Sequence, residues 1–283
     1  MTSADDVASR GLRTDVKSCC AAFYGNEWVH RLLGASFHPG GLSLTSRLGA
    51  QLNLGPSSHL LDVASGRGAT AIHLVQTFGC RVTGIDLSQP NIDEATRLAL
   101  SGDRPDHVSF VRGDAEALPF PDEQFDAIIC ECALCTFPDK PAACSEFTRV
   151  LKPGGMVGIS DVTRNGELPE MLAGVLAAAA CIADARPVAG YVNLLENSGL
   201  EMQSVERHDN VLNDLLNQIR IRLLSAKVLT ATSDFDLSGL NIHIAQDMIR
   251  SAAYAIQNGT LGYATFVAAK PRRASMRRNL SRE

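Results

Sequence analysis

A run of small residues between two apolar segments is the stretch of this sequence best suited to bind a ligand. The apolar run Leu60-Leu61-Asp62-Val63 predicts a buried strand, and Ala64-Ser65-Gly66-Arg67-Gly68 leads from it into a helical pattern. Because Gly66 and Gly68 carry no side chains, a ligand can approach the backbone N–H groups of the turn. A buried strand that passes into a helix N-terminus in this way is typical of a site for a nucleotide-like ligand.

A second predicted strand ends in an acid that fits the same site. The segment Arg81–Asp86 places Asp86 about 20 residues beyond the glycines, where a carboxylate can accept hydrogen bonds from the two hydroxyls of a ribose. The alternative function of Asp86 is to cap the helix that follows Ser88, although Ser88 is itself a good cap residue.

Three cysteines cluster where a later predicted strand ends. Strand alternation would place Cys130 and Cys132 on one face and Glu131 on the other until the strand breaks. Thiolates are soft donors, so a cluster with Cys135 suits a soft, thiol-binding metalloid. Two alternatives are small core residues and a zinc site, although such close spacing differs from that of common structural zinc sites.

The elements that must position these residues alternate between strand and helix from about residue 58 to 165. Strands are predicted at 59–64, 81–86, 108–112, 126–131 and 156–161, and helices at 69–78, 89–100 and 140–151. This alternation predicts a doubly wound α/β fold with a parallel sheet. The segment 152–155, Lys-Pro-Gly-Gly, predicts a turn that starts the fifth strand.

The flanking segments are predicted to be mostly helical. Residues 1–50 form the predicted N-terminal helical segment, and 51–270 the main domain. After residue 168 we expect helices at 171–185, 187–198, 211–228 and 239–257 and strands at 201–207 and 262–268. The helices near 211–257 would form a cap inserted before the last strand, and 271–283 would be a basic, disordered tail.

Composition limits the kind of protein. A formal net charge of -5 argues against nucleic-acid binding as the main function. No apolar stretch has the length of a membrane span, and the N-terminal residues do not show a basic-then-apolar signal, so we expect a cytoplasmic protein that does not bind membranes. The eight cysteines are then expected to be reduced.

Several motifs, taken together and in order, resemble those of class I S-adenosylmethionine-dependent methyltransferases. They are Asp62-x-Ala64-x-Gly66-x-Gly68, the acid at Asp86, and the segments 113–120, 125–129 and 149–155. The resemblance implies a Rossmann-like fold, an enzyme that transfers a methyl group, and S-adenosylmethionine as the cofactor.

The resemblance also implies roles for the residues of the first turn. Gly66 and Gly68 would lie against the methionine part of the cofactor. Asp62 would hold the turn or the amino group, and Asp86 would accept hydrogen bonds from both ribose hydroxyls.

The remaining cofactor-binding residues follow later strands. Leu87 would pack on the adenine, Asp114 would accept a hydrogen bond from its exocyclic amine, and Ala115 would offer a backbone N–H. Glu131 stands where a polar amide is more usual in the family, and it completes the set of candidate cofactor-binding residues.

The segment around the cysteines resembles arsenite methyltransferases in particular. Residues 130–140, 160–162 and 167–169 carry this resemblance. It implies that Cys132 and Cys181 bind arsenic through two thiolates while the arsenic lone pair attacks the sulfonium methyl. The substrate would be a metalloid, as such or as a thiol adduct.

The resemblance leaves the other cysteines and the acceptor open. Cys19, Cys20 or Cys135 could also take part in binding. One alternative is an enzyme that methylates carbon or oxygen of an organic small molecule, for which His38 could serve as a general base. Another is a protein that binds the cofactor or a metalloid without turnover.

Cys80 and Cys144 are predicted to be core residues.

Overall fold

The described part of the chain forms a seven-stranded sheet. The computed structural model describes residues 17, 38–172, 182, 184–230 and 242–272, and the helices and strands are numbered over these residues alone. The strands are β1 His59–Val63, β2 Arg81–Asp86, β3 Val108–Arg112, β4 Phe125–Glu131, β5 Leu151–Arg164, β6 Glu201–Arg207 and β7 Leu261–Ala269. Their order is β3-β2-β1-β4-β5-β7-β6.

The first five strands are parallel to one another, as the alternating pattern predicts. β7 runs antiparallel to both β5 and β6. Because parallel strands have their carboxyl ends at one edge of the sheet, the residues that follow β1, β2 and β4 lie close together.

Helices cover the sheet. They are α1 Gly41–Gln51, α2 Ala69–Phe78, α3 Gln89–Leu100, α4 Lys140–Val150, α5 Val188–Asn197, α6 Asp209–Thr230 and α7 Ile242–Gln257. Most of the predicted helix at 171–185 lies outside the described residues, as do most of 1–50 and the tail beyond residue 272. Within the described part of the chain, no helix combines the length and apolar character that a membrane crossing requires.

Successive residues of the central strands contact different helices. Leu61 and Ile128 belong to a buried cluster with Phe147 of α4. Their neighbours Leu60 and Ile129 belong to another cluster, which includes residues of α1 and α2. This alternation buries both faces of the sheet and confirms the doubly wound α/β architecture.

The helices α6 and α7 pack against a third buried cluster. It includes Val162 of β5 and Tyr263 of β7, and Leu212 and Ala255 contribute from the two helices. Cys132, the first residue after β4, packs against the same cluster. The two helices that precede the last strand therefore pack in the same cluster as the residue that follows β4.

The predicted start of the fifth strand was wrong. Strand β5 begins at Leu151, and 152–155 form an irregular part of it rather than a preceding turn. Phe125 pairs with Leu151 but Ala127 pairs with Met156, so the segment bulges out of register with β4. The Gly-Gly pair suits the bulge because Gly154 has a φ of 82°.

Candidate functional site

A cavity of about 190 Å³ lies at the carboxyl ends of β1, β2 and β4. Its lining includes three acids contributed by these strands, Asp62, Asp86 and Glu131. Leu87, Asp114 and Ala115 also line it, so the cavity brings together nearly all of the residues that the sequence predicts to bind a cofactor.

The two glycines of the turn after β1 have different environments. Gly66 lines the cavity, and a Cβ atom built on it would meet no other atom within 4 Å. A Cβ on Gly68 would lie 2.5 Å from Cζ of Phe110 and 3.1 Å from Cβ of Ala95. Gly66 therefore leaves space for a ligand, whereas Gly68 allows close packing at the start of α2, with a φ of 81°.

Asp62 is a buried acid with an unsatisfied oxygen. Its side chain is 2% exposed, and Oδ2 has no hydrogen-bond partner among the described residues. Burial, together with the negative charges of Glu131 and Asp86, raises the pKa of Asp62 well above its ordinary value. A hydrogen bond from the Ala71 N–H has the opposite, smaller effect on this pKa. A buried oxygen of this kind is a strong acceptor for a positively charged ligand donor.

Asp86 accepts hydrogen bonds from the turn after β1 and from the start of α3. Its Oδ2 accepts a hydrogen bond from the Gly66 N–H at 2.9 Å, and its Oδ1 accepts one from the Ser88 N–H at 2.8 Å. Burial raises the pKa of Asp86, although both N–H donors oppose the change. Because a carboxylate has about four acceptor positions, Asp86 can stabilise the start of α3 and still accept ligand hydroxyls.

Glu131 is held by groups from two helices. Thr70 Oγ1 donates a hydrogen bond to Glu131 Oε2 at 2.7 Å, and Thr45 Oγ1 lies 3.0 Å from the same oxygen. His38 Nε2 is 3.4 Å from Glu131 Oε2, and both side chains are buried. Sequence spacing did not indicate this network, since Thr45 is 86 residues from Glu131.

A second cluster of charges lies around Asp114. The Lys17 ammonium contacts Asp114 Oδ2 at 2.7 Å and Glu116 Oε2 at 2.5 Å. Lys17 also lines the cavity. The sequence motifs identified Asp114 but not Lys17, which is 97 residues away in the chain.

The structure places one of the two predicted arsenic ligands at the cavity. Cys132 lines it and is partly exposed, with a φ of 52°. Strand alternation therefore stops at Glu131, where β4 ends. Cys181 lies outside the described residues, as do Cys19 and Cys20.

The other described cysteines are buried. Cys130 and Cys135 are 0% and 1% exposed. Burial raises the pKa of Cys80 to about 11 and that of Cys144 to about 12, as suits inert core residues. Within the described part of the chain, no group of three or more metal-ligating side chains is placed to hold a metal ion.

The charges of the lining residues determine which kind of ligand the cavity favours. Five acidic side chains line it, and the basic side chains among the described lining residues are Lys17, His38 and Arg67. Lys17 is bound to Asp114 and Glu116, while Asp62 retains an unsatisfied oxygen. Such a cavity suits a ligand that carries positive charge and several hydrogen-bond donors.

A family model matches the part of the chain that contains most of the cavity residues. Residues 61–159 match the family model described as a methyltransferase domain. The mixed seven-stranded sheet with flanking helices is the Rossmann-like fold of class I methyltransferases. S-adenosylmethionine is the cofactor of such domains.

Particular proteins resemble this chain over part of its length. It is 33% identical to O-methyltransferase resE of Aspergillus sclerotiorum over 126 residues, which cover 44% of this chain and 48% of that protein. Phosphoethanolamine N-methyltransferase 2 of Haemonchus contortus, solved with S-adenosylmethionine, superposes with a TM-score of 0.70 at 20% identity, covering 89% of this chain and 57% of that one.

A second similar structure has a different activity in its name. The cyclase SpnF superposes with a TM-score of 0.66 at 24% identity, covering 84% of this chain and 83% of that one. The chain spans about half the length of the curated relatives it matches. The comparisons therefore show the fold and a methyltransferase-domain match over residues 61–159, while the reaction must be argued from the site.

Asp62 is expected to make the ligand-free protein less stable as the pH rises. Its folded-state pKa is raised above the ordinary value of 3.8, so the folded protein binds the proton more tightly than the unfolded chain does. The stability from the protonated carboxyl is complete below about pH 4 and is lost as the pH rises through the folded pKa. Asp62→Asn should therefore gain about 1 kcal/mol or more relative to wild type between pH ~4 and neutral pH.

Urea denaturation over a series of pH values measures this difference in the free energy of unfolding. Asp103→Asn removes a carboxylate at an exposed position and is the matched control. A pH-independent difference for Asp62→Asn would show that the pKa of Asp62 is not raised.

Proposed function

We propose that this protein is an S-adenosylmethionine-dependent methyltransferase that acts on an organic small molecule. The observation that carries the proposal is the convergence of Asp62, Asp86 and Glu131 on one cavity, with an unsatisfied Asp62 oxygen. S-adenosylmethionine has an ammonium group, a sulfonium and a ribose, so it supplies both the positive charge and the donors that this cavity suits.

The residues present fit the parts of the cofactor. Asp62 and Glu131 would hold the ammonium group, and the open face of Gly66 would lie against the methionine part. Asp86 would accept hydrogen bonds from the ribose hydroxyls. At the other end, Leu87, Ala115 and Asp114 would bind the adenine.

The remaining lining would form the acceptor end. His38, Cys132 and Phe137 line the cavity, and α6 and α7, the predicted cap, contribute to the buried cluster against which Cys132 packs. The cofactor supplies an activated methyl group on its sulfonium, so the protein needs chiefly to align the acceptor and exclude water. If the acceptor is a hydroxyl, His38 can take its proton while the adjacent Glu131 carboxylate stabilises the imidazolium.

Binding of S-adenosylhomocysteine tests the cofactor assignment without knowledge of the acceptor. Loss of a charged hydrogen-bond acceptor costs about 1.5–3 kcal/mol. We therefore expect Asp86→Asn to weaken binding roughly 10- to 100-fold by calorimetry. Asp103→Asn should bind as wild type does. Equal affinities for Asp86→Asn and wild type would refute the assignment of Asp86 to the ribose.

Methyl transfer from labelled S-adenosylmethionine to a panel of phenols, alcohols and amines tests the activity itself. A labelled organic product supports the proposal. Cofactor binding with no product from any acceptor, arsenite included, would instead support a binding protein without turnover.

Arsenite is a second candidate acceptor because Cys132 is a partly exposed thiol at the cavity. A thiolate there could bind arsenic(III), with Cys181 as the second ligand that the sequence resemblance implies. If arsenite is the acceptor, Cys132→Ser should lose at least about tenfold in arsenite methylation, because thiolate ligands are needed to hold the metalloid. Arsenic speciation after reaction with labelled cofactor is the measurement.

Cys135→Ser is the control for this experiment, since Cys135 is buried and should leave arsenite methylation largely unchanged. Full arsenite methylation by Cys132→Ser would exclude Cys132 as a ligand. Absence of any methylated arsenic from the wild type, together with a methylated organic product, would favour the organic acceptor.

A further inference from the structure

We propose that Lys17 is a positioning residue that fixes the Asp114 carboxylate to bind the adenine amine of the cofactor. The inference rests on the proposed function, since it concerns the adenine end of the same cavity. It adds a basic residue from the N-terminal part of the chain to a subsite that the sequence motifs place entirely between residues 86 and 120.

Two carboxylates share the Lys17 ammonium. The Nζ atom is 2.7 Å from Asp114 Oδ2 and 2.5 Å from Glu116 Oε2. Each carboxylate uses its other oxygen to accept a backbone N–H. Asp114 Oδ1 accepts from Glu116 N at 3.0 Å, and Glu116 Oε1 accepts from Asp139 N at 2.7 Å. Both oxygens of each carboxylate therefore have a partner, which fixes the orientation of the two groups.

Glu116 makes this arrangement rigid on one side. Its side chain is 12% exposed, and its bond to the Asp139 N–H connects it to the start of α4. The Lys17 ammonium is therefore held by a fixed partner. Asp114, whose side chain is 35% exposed, depends more on Lys17 for its orientation.

The charge of Lys17 offsets a repulsion between the acids. Partial burial lowers the pKa of Lys17, but hydrogen bonds to Asp114 and Glu116 outweigh that effect and raise it overall. The ammonium therefore remains charged at neutral pH. Without it, two like charges two residues apart would repel each other, and the more exposed Asp114 carboxylate would turn toward solvent.

The ammonium leaves Asp114 able to bind a donor. A carboxylate has about four acceptor positions, of which the described contacts use two. The exocyclic amine of adenine is a donor, and Lys17, which has only donors, cannot bind that amine itself. Its effect on binding of the amine must then pass through Asp114, which is what distinguishes a positioning residue from a direct contact.

Calorimetry with two ligands tests the inference. The ligands are S-adenosylhomocysteine and its 6-deamino analogue, in which purine replaces adenine and the amine is missing. Lys17→Met should weaken S-adenosylhomocysteine about tenfold, the size of effect expected for loss of one well-placed hydrogen bond. It should change the affinity for the analogue less than about twofold, because the analogue has no amine for Asp114 to bind.

Three further variants serve as controls. Lys17→Arg retains a cation and should keep wild-type affinity to within about threefold. Asp114→Asn should show the same ligand selectivity as Lys17→Met. Lys152→Met removes a matched lysine whose ion pair with Asp126 lies near the start of β4, and it should bind both ligands as wild type does.

Each other outcome overturns the inference. Equal losses for both ligands in Lys17→Met would indicate a general structural or electrostatic effect. Unchanged binding would remove Lys17 from the site, and tighter binding would show that Lys17 competes with the adenine for Asp114. If the wild type binds neither ligand, the proposed function itself fails, and this result is distinct from the others.

Discussion

The convergence of acidic side chains at one edge of the sheet is the constraint on which the rest of the site depends. Asp86 and Glu131 are the last residues of β2 and β4, and Asp62 is the last but one of β1. These strands are parallel neighbours, with Asp62 opposite Gly84 and Ile129. The topology therefore forces three acids together, and their burial must be stabilised by donors.

The surrounding elements supply those donors. The turn after β1 contributes the Gly66 N–H to Asp86, and α1 and α2 contribute the hydroxyls of Thr45 and Thr70 to Glu131. Asp62 has fewer donors around it, and its Oδ2 has no hydrogen-bond partner among the described residues. A ligand ammonium would complete this arrangement. On this account the site is destabilising in the free protein and is stabilised on binding.

Backbone conformation at the cavity fits the same interpretation. Ala64 and Cys132 are non-glycine residues with φ values of 57° and 52°. Both directly follow strands that end at the cavity, β1 and β4. Residues in this region of φ carry a conformational cost, and they persist where surrounding contacts hold them, which is common at binding sites.

Sequence reasoning predicted the parts of this structure that depend on local pattern. The five parallel strands and the acids at their ends follow from apolar runs that end in polar residues, and the positions of Asp62, Asp86 and Asp114 at one cavity follow from the parallel order. The bulge at 152–155 was missed because a Pro-Gly-Gly run indicates irregular backbone without indicating whether a strand continues through it.

Contacts between distant segments could not be predicted in this way. Lys17 with Asp114, and His38 with Glu131, join residues whose separation in the chain carries no periodic signal. The close packing around Gly68, in contrast to the open space at Gly66, also depends on Phe110, a residue of another strand. Such features arise from tertiary packing, which a single sequence does not encode as a local pattern.

Proton release on binding tests most directly the claim that a ligand ammonium compensates the buried Asp62 carboxyl. Calorimetry of S-adenosylhomocysteine binding between about pH 5 and pH 7, in two buffers of different ionisation enthalpy, counts the protons exchanged. The account predicts that wild type releases protons, because Asp62 ionises as the ammonium binds, and that Asp62→Asn releases fewer. Binding without proton release in wild type, or with equal release in both proteins, would contradict it.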